Sequence, residues 1–462
     1  MNKLLVRYEN DETTLQLLLR SMCDLCNIQS VRGFIRERPD YPKSYASVFK
    51  SSGSPPRISH EVLCDILESI FEINVLSFSS DLPNDDDKVK RTEEIVASYG
   101  VICDMATAIP GLKLKHIRQV FREFVLQLND DRYNATFNSA VACCFPLGSN
   151  KCSRYFSILS VLVTTENSSK PYDILLPMLT TAYTCTEMKP DALRQFSLLV
   201  CSLVLDGAQI SSAHGFVSIL EFLETVVKEK PGYISPFLFI QILSFLITST
   251  SHNGPRFQDS FDMEDVYMCV CSLSSALFLH CYKFLRGRHH LAIHLLQNLL
   301  YGLCVANGGR RPYWKRASWM SSNKACSATC ALSYARLLSN FSEPSFSAGH
   351  VRGNKRSGSS AFGLSSKASA SRRALSKHAP YLIIEFCFAT LTHKFNSEDD
   401  SSTTSGGGST REIVTRAMYT MFDLLGQNEL QIANAAVDSA GRAIYKRLYN
   451  DYLQFGKWKE ST

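Results

Sequence analysis

The chain has 462 residues, enough for about three domains or one continuous array of helical repeats. Hydrophobic residues make up 45% of it, with only 23 glycines and 16 prolines, which excludes a collagen-like, linker-like or wholly disordered protein. The formal charge of +6 is small for this length, so any surface that binds nucleic acid must be local.

The 16 cysteines are too sparse for a disulfide scaffold, and several lie inside apolar helical runs, so we expect free thiols in a reducing compartment. Residues 1–9 include charges before any apolar segment of signal-peptide length, so export is not expected. The longest uncharged stretch, 231–255, is strongly apolar only over 233–247. This is shorter than the roughly 20 residues of a membrane span, so we expect a buried helix and no membrane association.

Apolar residues recur at spacings of three and four along most of the chain, which is typical of amphipathic helices. In chain order, the spacing predicts helices over 60–78, 91–108, 114–128, 152–165, 170–186, 189–205, 212–229, 235–249, 262–304, 324–340, 378–395, 411–425 and 429–455. Short turns join them, and no strict repeat of fixed period is present. The predicted fold is all-α, an irregular α-solenoid of stacked HEAT- or armadillo-like helices with disordered loop insertions.

Residue patterns predict where the last two helices begin and end. Ser409 and Glu412 have the spacing of a capping box, and Gly426 is predicted to end that helix in the left-handed conformation. The final helix is predicted as one closing helix that docks through a single apolar stripe. The stripe consists of Leu430, Ala433, Val437, Ala440, Ile444, Leu448 and Tyr452.

Two insertions interrupt the helical pattern. Residues 345–378 contain ten serines and seven basic residues but no acidic residue, so they cannot bury enough apolar area to fold, and we expect disorder. Residues 396–410 are acidic and glycine-rich, and we expect a flexible loop. The two loops carry opposite charge and flank one predicted helix.

Catalytic motifs are absent from the sequence. It contains no phosphate-binding loop, no G-x-G-x-x-G and no G-x-S-x-G, so we expect no enzyme activity, no cofactor and no small-molecule substrate. Cys23 and Cys26 form only half of a zinc site, and buried thiols are the favoured interpretation. His290 and His294 lie one helical turn apart, as in metalloproteases, but Leu291 occupies the position of the general-base glutamate. A metal-dependent hydrolase is therefore a weak alternative, and no catalytic or metal-binding residue is predicted.

Positive charge interleaved with aromatic residues is the remaining chemical signal. Residues 286–290 precede a strongly apolar helix and residues 310–316 follow it, so cations that neutralise phosphates lie near rings that stack on unpaired bases. The alternative is a solvated basic face with half-buried rings. The candidate RNA- or partner-binding residues are Arg286, Arg288, His289, His290, Arg310, Arg311, Tyr313, Trp314, Lys355, Arg356, Arg372, Arg373, Arg442, Lys457 and Trp458.

Several of these segments, taken together, resemble one known protein family. Residues 284–300 and 331–344, and above all the ending 429–452 with 455–459, resemble the C-terminal signature of the Unhealthy ribosome biogenesis proteins. The same family is called nucleolar pre-ribosomal-associated protein two. The resemblance covers residues 215–462, whereas the earlier part of the chain shares only helical texture.

The resemblance implies a non-enzymatic scaffold in the nucleus and nucleolus. Such a protein acts in early large (60S) subunit pre-ribosome assembly and precursor-rRNA processing, beside assembly factors that include an RNA helicase. It also implies two parts, an N-terminal helical region over 1–210 and the family's helical C-terminal domain over 211–462. Family members are typically much longer, so we expect a truncated or partial product. The alternative is a generic helical-repeat adaptor that binds other proteins in transport or trafficking.

Overall fold

A computed structural model describes part of the chain and divides it into two compact units, Met1–Leu199 and Val200–Thr462. The described residues are 71, 75, 89–90, 92–100, 115–126, 137–141, 159–160, 172–184, 190–206, 210–306, 316–321, 324–342, 374–395 and 409–456. Within them helices dominate and the strands form a single two-stranded sheet, which confirms the predicted all-α class. No helix in the described ranges is long and apolar enough to cross a membrane.

The first unit is built around an aromatic cluster. Tyr99, from helical residues 92–100, stacks on Phe121 with ring centroids 3.9 Å apart. The rings of Phe71, Phe124 and Phe137 surround Phe121 at centroid distances of 6.0–6.2 Å. All five side chains are buried, so they form the core that holds these segments together.

Three helices of this region match the predicted ones. They are α1 (Lys115–Leu126), α2 (Tyr172–Thr184) and α3 (Pro190–Asp206), the last of which continues into the second unit. The predicted helix over 91–108 is confirmed across 92–100. The predictions over 60–78 and 152–165 lie mostly outside the described residues.

The second unit contains nine further helices and two short strands among its described residues. They are α4 (Ala213–Glu229), α5 (Pro236–Ser249), α6 (Met263–His280), α7 (His289–Gly302), β1 (Cys304–Ala306), α8 (Ala328–Ser342), α9 (Ala379–Thr392), β2 (His393–Phe395), α10 (Thr410–Phe422), α11 (Gln427–Ala436) and α12 (Ser439–Asp451).

The helices of the second unit stack in two rows. In one row α4 packs on α6, α6 on α8 and α8 on α10; in the other α5 packs on α7, α7 on α9 and α9 on α12. Buried hydroxyls tie the rows together, because Tyr267 of α6 and Tyr334 of α8 each donate a hydrogen bond of 3.0 Å to a carbonyl oxygen of α7. Burial raises the pKa of both tyrosines well above the usual value, so both remain donors. The stacked helical arrangement agrees with the predicted fold.

One predicted helix, 262–304, is two helices in the structure. Helix α6 ends at His280, a 3₁₀ turn spans Tyr282–Phe284, and α7 begins at His289. The turn before α7 contains Gly287, whose φ of 77° lies in the left-handed region that favours glycine. The apolar periodicity on both sides of this turn conceals the break.

The predicted closing helix, 429–455, is also broken. Helix α11 ends at Ala436, and Asp438 starts α12 by accepting a hydrogen bond of 2.7 Å from the backbone N–H of Gly441. The break changes the buried face, so Ala440 of the predicted stripe is exposed and Tyr445 is buried. The predicted stripe is therefore wrong at Ala440 and misses Tyr445, whereas Leu448 and Tyr452 are buried as predicted.

The predicted caps are only partly correct. Helix α10 begins directly after Ser409, as predicted, but the Ser409 side chain makes no capping hydrogen bond. Gly426 is extended, with φ −87° and ψ 177°, and it precedes α11 instead of ending α10 in the left-handed conformation.

A short antiparallel ladder was not predicted. Cys304 pairs with Phe395 and Ala306 with His393, so the predicted helix over 378–395 ends at Thr392. Strands of three residues are too short for their alternation to be recognised in the sequence.

The predicted disorder over 345–378 is wrong at its end. Residues 374–376 are helical, and Leu375 is buried with 4% exposure. Residues 345–373 of this insertion, and residues 396–408 of the acidic insertion, lie outside the described residues.

Candidate nucleic-acid interface

The turn between α6 and α7, residues 281–288, presents cations on a fixed backbone. We call it the basic turn. The side chains of Cys281 and Leu285 are buried and anchor it, while Lys283 and Arg286 are exposed. The backbone N–H of Arg288 donates a hydrogen bond of 2.7 Å to the Leu285 carbonyl oxygen, which closes the turn. The anchors therefore fix where the two exposed cations stand.

Two of the basic side chains also contact the turn itself. The Nη1 of Arg288 donates to the carbonyl oxygen of Phe284 at 2.9 Å, so this guanidinium partly stabilises the backbone. The Nζ of Lys283 lies 4.8 Å from the centroid of the Phe284 ring, a cation–π contact. Arg286 makes no hydrogen bond or ion pair with a described residue, so its guanidinium is available for a ligand.

The start of α9 lies against the start of α7. The imidazole of His378 lies 5.9 Å from that of His289 and 6.2 Å from that of His290, measured between ring centroids. The Nε2 of Gln297 donates to the Tyr381 carbonyl oxygen at 3.2 Å, and the Tyr301 hydroxyl bonds Glu385, so α7 and α9 are held side by side.

The histidines differ in exposure. His289 is buried, with 5% exposure, so it supports the surface from beneath, whereas His290 is exposed. Burial is the main cause that lowers the pKa of His289, and the charges of His378 and His290 lower it further. Burial likewise lowers the pKa of His378, followed by the charges of His290 and Lys377. Both rings are therefore neutral at neutral pH.

Two helix N-termini meet at this cluster. Arg288 precedes α7 and His378 precedes α9, and neither side chain caps its helix, so the positive ends of two helix dipoles add to the potential here. We define the basic surface as Lys283, Arg286, Arg288, His290, Lys377 and His378. Convergent cations and uncapped helix starts suit phosphate groups, and contacts of this kind carry little sequence preference.

The structure brings together four of the predicted residues. Arg286, Arg288, His289 and His290 are contiguous in the turn and at the start of α7. Arg442 lies elsewhere, where its guanidinium donates to the carbonyl oxygens of Asn434 and Val437 at 3.2 and 3.3 Å and spans the joint between α11 and α12. The other predicted residues lie outside the described part of the chain: Arg310, Arg311, Tyr313, Trp314, Lys355, Arg356, Arg372, Arg373, Lys457 and Trp458.

Lys377 and His378 belong to the basic surface and lie in the predicted basic insertion, but they are not among the predicted site residues. They lie far along the chain from the basic turn, and no local pattern links them to it. Pro380, in the first turn of α9, marks the helix start and was the one signal nearby.

Metal-dependent and thiol chemistry find little support. His290 and His294 are both exposed on α7, and no group of three or more possible ligands that could hold a metal occurs in the described ranges. The cysteines that the structure describes are free thiols, as predicted. Burial raises the pKa of Cys281 to about 11 and the pKa of Cys304 to about 12, so both remain protonated and unreactive.

Comparison with known proteins gives one family. Residues 217–461, which include the whole basic surface, match the model of the Urb2/Npa2 family. The probable nucleolar pre-ribosomal-associated protein 2 of Schizosaccharomyces pombe is 23% identical over 309 residues, which are 66% of this chain and 22% of that relative. The chain thus spans about a fifth of the relative's length. A crystal structure of an engineered protein aligns over 97% of each chain at 11% identity with a TM-score of 0.31, too low to bear on the fold.

Proposed function

We propose that this chain, which belongs to the Urb2/Npa2 family of ribosome biogenesis factors, is a non-enzymatic nucleolar scaffold in early assembly of the large (60S) ribosomal subunit and in precursor-rRNA processing. The observation that carries the proposal is the family match over more than half of the chain. The name of the fission yeast relative, a probable nucleolar pre-ribosomal-associated protein, supports the same location and particle.

The proposed contact with precursor rRNA runs through the basic surface. The backbone that carries Lys283 and Arg286 is already held by hydrogen bonds, so binding of a phosphate backbone needs to order only their side chains. The predicted RNA-binding residues outside the described part of the chain, such as Arg310 and Arg372, add positive charge in this proposal.

The scaffold role rests on the stacked helices. Two rows of helices offer extended faces to several partners at once, and we propose that these partners are assembly factors, including an RNA helicase. Catalysis is not part of the proposal, because buried thiols and tyrosines of the described core are held protonated and act in packing.

Gradient sedimentation tests this function. The tagged full chain is sedimented from cell extract at moderate salt, and the RNA of each fraction is sequenced. We expect co-migration with precursors of large-subunit rRNA. Sedimentation as a free protein without precursor rRNA would overturn the proposal and favour the adaptor in transport or trafficking.

A further inference from the structure

A second cationic region lies away from the helix N-termini of α7 and α9. A groove of about 890 Å³ opens between α9, α10, α12 and the π-helical turn Tyr452–Gly456. Phe386 and Leu448 are buried and form an apolar floor, and Phe455, with 73% exposure, stands at the groove as an uncovered ring. Such an apolar cleft provides a pocket in which a side chain can be buried.

Three arginines line this groove: Arg411 and Arg416 from α10 and Arg447 from α12. We call it the arginine groove. All three side chains are exposed, and none makes a hydrogen bond or an ion pair with another described residue. Their guanidinium groups therefore keep their bidentate donors available.

The acidic residues of the groove offset part of its positive charge but form no ion pair with these arginines. Glu412 precedes Arg416 by four residues and Asp451 follows Arg447 by four, yet neither spacing closes an ion pair. Lys228 and Glu224, with the same spacing, do form an ion pair, so the spacing permits pairing elsewhere in the chain. The groove therefore has an excess of one positive charge with its donors unpaired.

The start of α10 adds to this potential. Ser409 lines the groove, and its hydroxyl does not cap the helix, so the first-turn N–H groups of α10 have no side-chain acceptor from this residue. A carboxylate in the groove would meet both the guanidinium groups and the positive end of the helix dipole.

We infer that the arginine groove docks an acidic peptide segment of a protein partner, with its carboxylates on Arg411, Arg416 and Arg447 and an aromatic or aliphatic side chain on the apolar floor. Charge complementarity selects an acidic partner, and buried Phe386 and Leu448 accommodate an apolar peptide side chain beside the arginines. An RNA whose unpaired base stacks on exposed Phe455 is the competing ligand, and the competition with polyuridylate described below distinguishes it from the peptide. The inference deepens the scaffold role and rests on it for the identity of the partner as an assembly factor.

The test uses the purified full chain and three labelled synthetic peptides in fluorescence anisotropy. The first has acidic residues around a central Phe-Leu pair, the second has amides in place of the carboxylates, and the third has alanines in place of Phe-Leu. We expect the first peptide to bind roughly tenfold more tightly than either of the others, which corresponds to about 1.4 kcal/mol for each feature.

Matched variants locate the site. We expect the double variant Arg416→Ala/Arg447→Ala to bind the first peptide roughly tenfold more weakly than the original chain does. The control Arg336→Ala/Lys446→Ala removes the same charge from exposed positions outside the groove and should change binding less than about twofold. Thermal melting confirms that both variants fold. Arg416→Lys/Arg447→Lys keeps the charge without the planar fork and should bind with intermediate affinity.

Three outcomes would overturn the inference. The first is equal affinity for the acidic and the amide peptide, and the second is an equal loss of peptide affinity in the groove variant and the control variant. The third is that polyuridylate displaces the peptide and that the groove variant also loses polyuridylate binding. The last would make the groove a nucleic-acid surface. Failure is separable from failure of the proposed function, because peptide binding is measured without ribosomal particles and co-sedimentation is measured without the peptide.

Discussion

The basic surface and the arginine groove are both cationic, but their surroundings differ. The basic surface is formed by a turn and by two helix starts without a side-chain cap, so its exposed cations are available to the phosphates of a nucleic-acid chain. The arginine groove arranges its cations around buried Phe386 and Leu448, so a ligand there can bury apolar area as well. Charge alone therefore does not select the partner, and the apolar environment of the cations decides between phosphate and peptide.

The two regions also differ in what positions them. The basic turn depends on local backbone geometry, with Gly287 at positive φ and the hydrogen bond from Arg288 to Phe284. The arginine groove depends on packing between helices. Tyr452 donates to the Asp423 carboxylate at 2.6 Å, and its ring stacks on Phe422 with centroids 5.2 Å apart. A backbone change should therefore disturb the first region without disturbing the second.

The largest expected effect is the loss of RNA affinity when the exposed cations of the basic surface are replaced by acidic residues. We expect Lys283→Glu/Arg286→Glu/Lys377→Glu to weaken binding of single-stranded precursor rRNA by roughly a hundredfold in about 0.1 M salt. The slope of log affinity against log salt should fall by about two, since each lost phosphate contact contributes about 0.7. Anisotropy titrations over a range of KCl concentrations measure both quantities.

The control for this variant is Arg256→Glu/Arg336→Glu/Lys446→Glu, which reverses three exposed cations outside both regions. It should cost less than about fivefold in RNA affinity, while the acidic peptide binds the basic-surface variant within about twofold of the original chain. A salt slope that stays unchanged in the basic-surface variant would contradict the assignment of RNA to this surface.

The sequence predicts the basic turn but not the arginine groove, for a physical reason. The cations of the turn are neighbours in the sequence, so their proximity needs no knowledge of the fold. Arg411, Arg416 and Arg447 come from two helices, and on each helix they look like part of an ordinary solvated face. Only the packing of α9, α10 and α12 brings them around one apolar floor.

The helices themselves were predictable because apolar periodicity is repeated over many residues. Their joints were not, because each depends on a single residue set in a strongly apolar context. Gly287 separates α6 from α7 and Asp438 separates α11 from α12, and in both places the periodicity resumes almost at once. A single-residue signal is outweighed when flanking segments both favour a continuous helix.

A glycine substitution tests the backbone dependence of the basic turn. A Cβ at position 287 would meet no atom within 4 Å, so Gly287→Ala adds only the strain of positive φ, and we expect the free energy of unfolding to fall by about 1 kcal/mol. Gly232 is equally open and has no positive φ, so Gly232→Ala should be neutral or slightly stabilising. Urea denaturation measures both.

The two alanine variants, Gly287→Ala and Gly232→Ala, also test RNA binding and peptide binding. Gly287→Ala should weaken RNA binding severalfold, because the turn carries Arg286, and should leave peptide binding unchanged. Equal stability of the two alanine variants would show that the turn relaxes to an ordinary conformation, and that its geometry does not place the cations.

The smallest expected effects are those of acidification, which we expect to change first the thermal stability of the protein and then the RNA affinity of the basic surface. The pKa values of His289 and His378 lie below the unfolded value of 6.5, chiefly because of burial, so the unfolded chain takes up protons first. Their contribution to stability is complete above pH 6.5 and is lost as the pH falls through the lowered folded values. We therefore expect the thermal midpoint to fall on acidification, and His289→Phe/His378→Gln to flatten this dependence, whereas His252→Gln, at an exposed position, should not.

RNA binding should respond to the same acidification with the opposite sign. Protonation of His378, beside His290 and Lys377, adds positive charge to the basic surface, so RNA affinity should rise modestly as the pH falls from 7.5 to about 6. No histidine lines the arginine groove, so peptide affinity should stay flat over this range. Anisotropy titrations with both ligands at each pH make the comparison. A parallel rise in peptide affinity would show that the two regions share one electrostatic response, and that their separation into a phosphate surface and a peptide groove is wrong.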